Sequence, residues 1–270
     1  VAHAYERKHG EWSRLHQMSL LYLFHSSSGF VSCPLAMTDG AARVLELMGS
    51  TPQQIAALQN LVTQDPNEFW TSGQWMTERG GGSDVSGTRT SAREGRDGKF
   101  NLFGEKWFTS AINSQMSLAL AKIEKSGIAE DELSLFFIRI RDASGLRSGI
   151  RVKRLKDKLG TRGLPTAELE LEGVEAELVG QPGGGVKKIS AMLNITRLYN
   201  SICAISQMRR ALDWAQAYAE NRMMFGKYLC DHVLYQTVKT EMEEKFRVCF
   251  NLTFRSCHLL GKEIGIVAIV

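Results

Sequence analysis

Two stretches in the first half of the chain contain residue types that could bind a planar, phosphate-bearing ligand. The first covers Gln74–Val85 and reads QWMTERGGGSDV, with three consecutive glycines between the hydroxyl residues Thr77 and Ser83. Glycine lets the backbone approach a ligand closely because no Cβ intervenes, and exposed N–H groups in such a turn can bind phosphate or a ring carbonyl. Taken alone, three glycines are more typical of a flexible turn, and no Lys-Ser or Lys-Thr pair follows them as in the common phosphate loop.

The second stretch lies about 20 residues further on and reads FGEKWFTS over Phe103–Ser110. Two adjacent aromatic residues, Trp107 and Phe108, are followed by two hydroxyl residues, so they could form a wall beside a planar ring with donors at its edge. The alternative is an ordinary strand whose aromatic side chains alternate between core and surface. The residues by themselves favour that alternative.

Helical spacing dominates the sequence before these stretches. Apolar residues recur at a period of about 3.6 from Trp12 to Val62, which predicts a helical N-terminal segment over residues 1–70. Residues 1–16 have the character of a helix interior. Thr51 and Pro52 are typical of an N-cap and the first residue of a helix, because the missing proline N–H costs nothing there.

The period then changes to 2, and glycines interrupt the apolar runs at short intervals. This pattern predicts several short strands and a small antiparallel β-barrel over residues 71–180, whereas the absence of alternating strands and helices argues against a doubly wound fold. After the linker Gln181–Gly185, the helical period returns. We expect three long amphipathic helices within residues 181–270, as in a helical bundle. The fold class is therefore α+β.

Composition narrows the function classes further. The chain has 270 residues, a net charge of +4 and an odd number of cysteines, five, with no Cys-x-x-Cys pair. Reduced thiols and an intracellular, reducing compartment are expected. No apolar run approaches a bilayer span, and no metal-ligand pattern stands out. The small basic excess argues only weakly for a polyanionic ligand. Val1 and the apolar end at 265–270 indicate a chain cut at both ends.

Taken together and in order, four segments resemble the acyl-CoA dehydrogenase family of flavoproteins. They are Met76–Val85, Gly104–Ser110, Lys158–Arg162 with Ala167–Leu171, and the Arg-x-x-Phe-Gly sequence at Arg222–Gly226. Within the family, Cys33–Thr38 and Lys106–Phe108 are similar to the AidB-like branch. The resemblance implies a helical N-terminal domain, a central β-barrel and a C-terminal four-helix domain that is incomplete here.

The resemblance also implies FAD bound between barrel and helices, and α,β-dehydrogenation of an acyl-CoA thioester. It further implies a homo-oligomer, dimer or tetramer, that shares its FAD sites, and a separate electron acceptor that reoxidises the flavin. One alternative is an AidB-like flavoprotein that binds long acyl-CoA or nucleic acid with little turnover, although nucleic acid is not favoured. Another is a relative that folds without flavin.

Residue by residue, the resemblance implies that the backbone at Gln74 and Met76 packs on the isoalloxazine ring of FAD. The Thr77 hydroxyl would face the N5/O4 edge of that ring. Gly82 and Ser83 would lie near the FAD phosphates and the mouth of the acyl-CoA site.

On the other side of the ring, the resemblance places Phe108, Thr109 and Ser110. Arg222 and Phe225 would reach the FAD of a neighbouring subunit, since a guanidinium can bind pyrophosphate with two hydrogen bonds. An exposed helix-end cation, favoured by the helix dipole, is the alternative for Arg222.

The sequence contains fewer of the residues that the resemblance implies for substrate binding and catalysis. Ser83 and Arg197 match family positions near the substrate, although an interhelical salt bridge is an equal alternative for Arg197. The family's catalytic glutamate is expected beyond residue 270. Arg79 stands where the family usually has proline, which places a cation beside the glycines.

Overall fold

A computed structural model describes residues 1–124, 132–142 and 144–263 of the chain. Contacts divide it into two compact units, which we describe separately. The first contains residues 1–2 and 33–196, and the second contains residues 3–32 together with the chain from Arg197 onward. The apolar end at 265–270 lies outside the described residues.

The N-terminal segment is helical but interrupted. Helix α1 covers Ala2–Tyr5, a 3-10 turn covers Gly10–Trp12, and α2 covers Ser13–His25. The expectation of one helix through residues 1–16 was wrong. Arg7 and Gly10 have positive φ values of 52° and 54°, which a right-handed helix cannot accommodate.

Two further helices follow as the spacing predicts. Helix α3 covers Ser32–Met48 and α4 covers Pro52–Val62. The Thr51 side chain accepts a hydrogen bond from the Gln54 N–H at 3.2 Å, so its role as N-cap is confirmed.

Nine strands lie between the helical segments in the described chain. They are β1 (Ser72–Trp75), β2 (Ser91–Glu94), β3 (Phe100–Ser110), β4 (Met116–Ile123), β5 (Leu133–Arg139), β6 (Arg141–Asp142), β7 (Gly145–Leu146), β8 (Ile150–Leu155) and β9 (Thr166–Leu178). The β6–β7 pair is a separate small hairpin.

Five strands close into the predicted barrel. The hydrogen-bonded order β4-β2-β3-β9-β5 returns to β4, while β1 and β8 flank it on β4 and β9. The sheet is not purely antiparallel, because both β1 and β2 pair with β4 in parallel. The interior is apolar, with Trp75, Leu102, Phe136 and Leu169 among its buried side chains. The alternation along β3 thus reflects one face turned into this core, whereas β4 and β5 are buried on both faces.

The C-terminal part contains two long helices in the described chain, where the spacing predicts three. Helix α5 covers Gly185–Asn221 and α6 covers Val233–Glu263. The first two predicted helices are one 37-residue helix, because no proline or glycine interrupts the chain between its two apolar stripes. Strands β10 (Met223–Met224) and β11 (Lys227–Tyr228) form a hairpin between α5 and α6.

Helix packing gives the second unit its own core. The Tyr22 ring of α2 lies edge-on to Phe250 and Phe254 of α6, at 5.6 and 5.7 Å between centroids. The Gln17 amide donates to the Tyr199 hydroxyl of α5 at 3.0 Å. Helix α2 therefore packs with the C-terminal helices, and the domain bounds at residues 70 and 180 stay a prediction. No described helix has the length and apolar character needed to cross a membrane.

Candidate functional site

The two sequence stretches lie side by side in the first unit. The Trp107 N–H on β3 donates to the Thr77 carbonyl at 2.8 Å. Thr77 lies two residues after the end of β1 and precedes the three glycines. We define the glycine loop as residues 79–88. The glycines and the paired aromatics are thus brought to one edge of the barrel.

Thr77 and Gly82 are also close to each other. A Cβ on Gly82 would lie 3.0 Å from the Thr77 Cγ2 atom, so the loop folds back over this side chain. Within the described residues, neither the Thr77 hydroxyl nor the Gln74 side-chain amide has a hydrogen-bond partner. Met76 between them is buried. Two polar side chains are therefore available to a ligand beside the loop.

The two aromatic residues on β3, Trp107 and Phe108, have different surroundings. Phe108 is 52% exposed and has a φ of 59°, unusual for a bulky residue. Trp107 lies beneath two cations, with the Lys156 Nζ 3.5 Å and the Arg79 guanidinium carbon 5.0 Å from the ring centroid. An exposed aromatic held in a strained conformation is the type of side chain that a planar ligand could cover.

The two hydroxyls after Phe108 differ. Thr109 is fully buried and its hydroxyl donates to the Ala167 carbonyl at 2.7 Å, so its proton is used within the barrel. Ser110 is half-buried, and its Oγ lies 2.9 Å from the Thr166 Oγ1. The Lys158 ammonium donates to that same Thr166 oxygen at 2.9 Å. Only Ser110 therefore has a hydroxyl near the surface.

Below the glycine loop lies a buried ion pair that the sequence analysis did not single out. The Lys106 Nζ is 2.9 Å from the Glu78 Oε1, and the lysine side chain is 0% exposed. The signal was present, because Lys106 stands at an inward position of a strand with period 2, four residues after the buried Leu102. A charged residue there requires a buried partner.

Backbone and hydroxyl donors surround the Glu78 carboxylate. Its Oε2 accepts from the Arg89 N–H at 2.7 Å, and its Oε1 accepts from the Thr90 N–H and hydroxyl at 3.1 and 2.5 Å. Burial raises the pKa of this carboxyl, but the Lys106 charge and the Thr90 and Arg89 hydrogen bonds outweigh it. The pKa of Glu78 is thus held below its usual range.

A second carboxylate, that of Glu168, pairs with the cations around Trp107. Glu168 on β9 accepts from the Arg154 Nε and the Lys156 Nζ at 2.7 and 3.1 Å, and its Oε2 lies 3.6 Å from the Arg79 guanidinium. Burial raises the pKa of Glu168, but these hydrogen bonds outweigh it and the pKa is lowered. The site edge is therefore only mildly basic.

Ser83 lies at the far side of the loop, where its side chain is exposed. With Asp84, Val85 and Ser86 it lines a cavity of about 510 Å³ whose other wall is the start of β5 and of α5. The cavity is adjacent to the glycine loop and lies within the first unit.

Three expected site residues, Arg197, Arg222 and Phe225, belong to the second unit. Arg197 is exposed on α5. Arg222 follows α5 with an exposed side chain that has no hydrogen bond or ion pair to the described residues. Phe225, 92% exposed, forms the tip of the β10–β11 hairpin with Gly226, where both residues have positive φ as a tight hairpin turn requires.

The part of the chain that the structure describes contains no candidate metal site. Among residues 1–124, 132–142 and 144–263, no three His, Cys, Asp or Glu side chains form a group that could hold a metal ion. None of the five cysteines, all of which lie within the described residues, forms a disulfide.

Comparison with known proteins gives this arrangement a context. The family model described as acyl-CoA dehydrogenase, middle domain, matches residues 73–174, and the model for the C-terminal domain of the same family matches residues 183–264. The first match covers the barrel with the glycine loop, and the second covers both long helices.

Two curated relatives extend the similarity to the N-terminal helices. The chain is 44% identical over 256 residues to acyl-CoA dehydrogenase family member 11 of Caenorhabditis elegans, covering 92% of this chain. It is 33% identical over 231 residues to the putative acyl-CoA dehydrogenase AidB of Escherichia coli, covering 83% of this chain, so the AidB resemblance is supported. The chain spans 42% of the length of each of these relatives.

Solved structures share the fold. A crystal structure of Caenorhabditis elegans ACDH-11 in complex with C11-CoA has a TM-score of 0.90 and 43% identity, covering 96% of this chain and 45% of that one. An acyl-CoA dehydrogenase from Bacillus anthracis complexed with FAD has a TM-score of 0.71 at 22% identity, covering 96% and 40%. The four motifs occur in the order that the family has, and the barrel and the long helices match its two domain models. The chain belongs to the acyl-CoA dehydrogenase family.

Proposed function

We propose that this chain is the flavin- and acyl-CoA-binding part of an FAD-dependent enzyme that oxidises acyl-CoA thioesters between the α- and β-carbons. The carrying observation is the 2.8 Å hydrogen bond from the Trp107 N–H to the Thr77 carbonyl, which brings the glycine loop and the aromatic wall to one edge. This is the juxtaposition that a single flat ring requires. Family membership supports the same reaction class.

The residues at this edge fit FAD. Exposed Phe108 and half-buried Trp107 offer aromatic surface to a planar ring system, and the unpartnered groups of Thr77 and Gln74 offer hydrogen bonds to its polar edge. Gly82 has no Cβ to fill the space above Thr77. Bound FAD would accept the β-hydrogen of the substrate as hydride.

In this proposal, the chain's own residues bind and orient. Thr77 donates its hydroxyl to the ring edge, Ser110 approaches from the β3 side, and Ser83 lies at the mouth of the substrate site. Holding both reactants in line lowers the entropic part of the barrier, and fixed donors stabilise charge that develops in the transition state. The glutamate base remains an expectation beyond residue 270, and Arg197 remains a substrate-side candidate.

The substrate class follows from the relatives. Because ACDH-11, at 43% identity, is crystallised with C11-CoA, we propose an acyl-CoA with a medium or long chain. We further propose a homo-oligomer in which Arg222 and Phe225 reach the FAD of a neighbouring subunit, and a separate electron acceptor.

A second candidate is an AidB-like flavoprotein with little turnover. The similarity to AidB favours it. The idea that such a flavoprotein binds nucleic acid lacks support, because the basic side chains of β8 are paired with carboxylates. Arg151 contacts Glu170 and Glu172, Lys153 contacts Glu105, and Arg154 contacts Glu168. Little unpaired positive charge remains on this strand to bind phosphates.

The test is an absorption spectrum of the purified full-length protein, followed by anaerobic addition of acyl-CoAs of increasing chain length. We expect flavin bands that bleach with medium or long chains. A colourless protein that takes up no added FAD contradicts the proposal. Flavin bands that no acyl-CoA bleaches would favour the second candidate.

A further inference from the structure

The buried pair of Glu78 and Lys106 has no part in the chemistry described above, yet it lies directly beneath the proposed ring site. Both groups are charged, and the lysine side chain has no contact with solvent. A buried charge pair is costly unless every donor and acceptor is satisfied. Its presence in a small barrel therefore calls for a function beyond filling the core.

Geometry shows what the carboxylate holds together. Glu78 immediately precedes the glycine loop, whereas Arg89 and Thr90, whose N–H groups it accepts, immediately follow it. One side chain thus closes both ends of a ten-residue loop. We call Glu78, Arg89 and Thr90 the neck of the glycine loop.

Lys106 fixes this neck to the barrel wall. Its ammonium donates to Glu78 on one side and to the Leu120 carbonyl of β4, at 2.9 Å, on the other. The residue after Lys106 and the residue before Glu78 make the Trp107–Thr77 hydrogen bond at 2.8 Å. The buried pair and the backbone hydrogen bond at the proposed ring site are therefore neighbouring contacts between the same two segments.

We propose that Glu78 and Lys106 are positioning residues of the cofactor site. They close the neck of the glycine loop and thereby set the height of Thr77 and Gly82 above the aromatic wall on β3. This inference rests on the proposed function, because the ligand whose position it sets is the flavin.

Three variants of the full-length protein test it: Glu78→Gln, Lys106→Met, and the double variant carrying both. Gln at residue 78 keeps the volume but has only one acceptor oxygen, so it cannot accept from both Arg89 and Lys106 as the carboxylate does. The double variant leaves no unpaired buried charge and is expected to fold. Lys99→Met is the matched control, since it removes an ion pair to Glu175 of 3.0 Å on the same barrel.

The first measurement is the dissociation constant for FAD at a temperature at which each apoprotein is folded. We expect at least tenfold weaker binding for Glu78→Gln and for the double variant, and less than a twofold change for Lys99→Met. The second is hydrogen exchange of the Arg89 and Thr90 amides without FAD. We expect at least tenfold faster exchange when the carboxylate is replaced.

A purely structural role would lower the melting temperature of the apoprotein and leave FAD affinity of the folded protein unchanged. FAD binding by the double variant within twofold of the parent, or unchanged exchange at the neck, overturns the inference while the proposed function stands. A parent protein that binds no FAD overturns both.

Discussion

At the scale of single residues, Thr77 and Thr109 show that the same type of side chain can have two different roles. The Thr109 hydroxyl is buried and donates to the Ala167 carbonyl. Its contribution is to the stability of the barrel, since removing it would leave a buried carbonyl without its partner. The Thr77 hydroxyl has no partner among the described residues, so stability does not explain it.

This contrast gives a matched pair of substitutions. Thr109→Val should lower the free energy of unfolding by about 1–3 kcal/mol, the cost of an unsatisfied buried group, whereas Thr77→Val should change it by less than about 0.5 kcal/mol. In the full-length enzyme, Thr77→Val should lower kcat on the order of 100-fold, as for loss of one fixed donor. Urea unfolding and steady-state turnover of acyl-CoA measure the two effects. Equal kcat in the Thr77 variant and the parent would remove Thr77 from the site.

At the scale of elements, strand β3 carries the site because of where it bends. Gly104 has a φ of 147°, and a Cβ there would lie 2.8 Å from the Thr90 Cα. The register with β9 shifts twice along β3, between Leu102 and Phe103 and between Lys106 and Thr109. The second shift falls at the aromatic pair, and such bulges re-aim side chains near functional sites.

Gly104→Ala should therefore lower the free energy of unfolding by more than an ordinary glycine substitution does. Gly98→Ala is the control, because its φ of 70° is also positive but nothing lies within 4 Å of the added Cβ. We expect a loss of about 1–2 kcal/mol for Gly98→Ala from the backbone alone and a further 1–3 kcal/mol, roughly, for Gly104→Ala from overlap with Thr90. Chemical denaturation of the two variants checks this. Similar losses would show that Thr90 can move aside.

At the scale of the whole molecule, the helical unit presents functional groups that its own fold does not use. Phe225 stands at a hairpin tip with 92% of its surface exposed, and the side chain of nearby Arg222 has no hydrogen bond or ion pair among the described residues. The Phe225 ring lies edge-on to His232 at 6.2 Å between centroids, and Arg222 makes its hydrogen bonds, to Tyr218 and Leu229, through its backbone. Their exposure accords with a role toward another subunit, as proposed above.

Arg222→Ala tests that role in the full-length oligomer. We expect FAD affinity to fall about tenfold or more, because a guanidinium contact with pyrophosphate is charge-assisted, with the apoprotein melting temperature unchanged. Arg255→Ala, at another exposed arginine on α6, should leave both quantities unchanged. Equal flavin content after gel filtration in the Arg222 variant and the parent would contradict the assignment.

The sequence by itself determined the class of the fold and predicted the segments of the candidate site. Local signals suffice for such features: Thr51 caps α4 because its hydroxyl reaches an N–H three residues away. Alternation marks β3 because mainly one of its faces is buried, and runs rich in apolar residues mark β4 and β5 because both of their faces are buried. Strands β1 and β2 escaped prediction because four residues each are too few to show a period. The merger of two predicted helices into α5 was missed because a continuous helix and two stacked ones share the same spacing.

Only the tertiary structure decided which residues meet. Glu78 and Lys106 are 28 residues apart, and Thr109 and Ala167 are 58 apart. Such contacts depend on strand register and barrel closure, which sum many weak interactions over the whole sheet and leave no mark on any short segment. The sequence therefore predicted the glycine loop and the aromatic pair as parts of a candidate site. Only the three-dimensional fold shows that the Thr77 hydroxyl has no partner among the described residues, that the Thr109 hydroxyl is hydrogen-bonded, and that Glu78 and Lys106 pair.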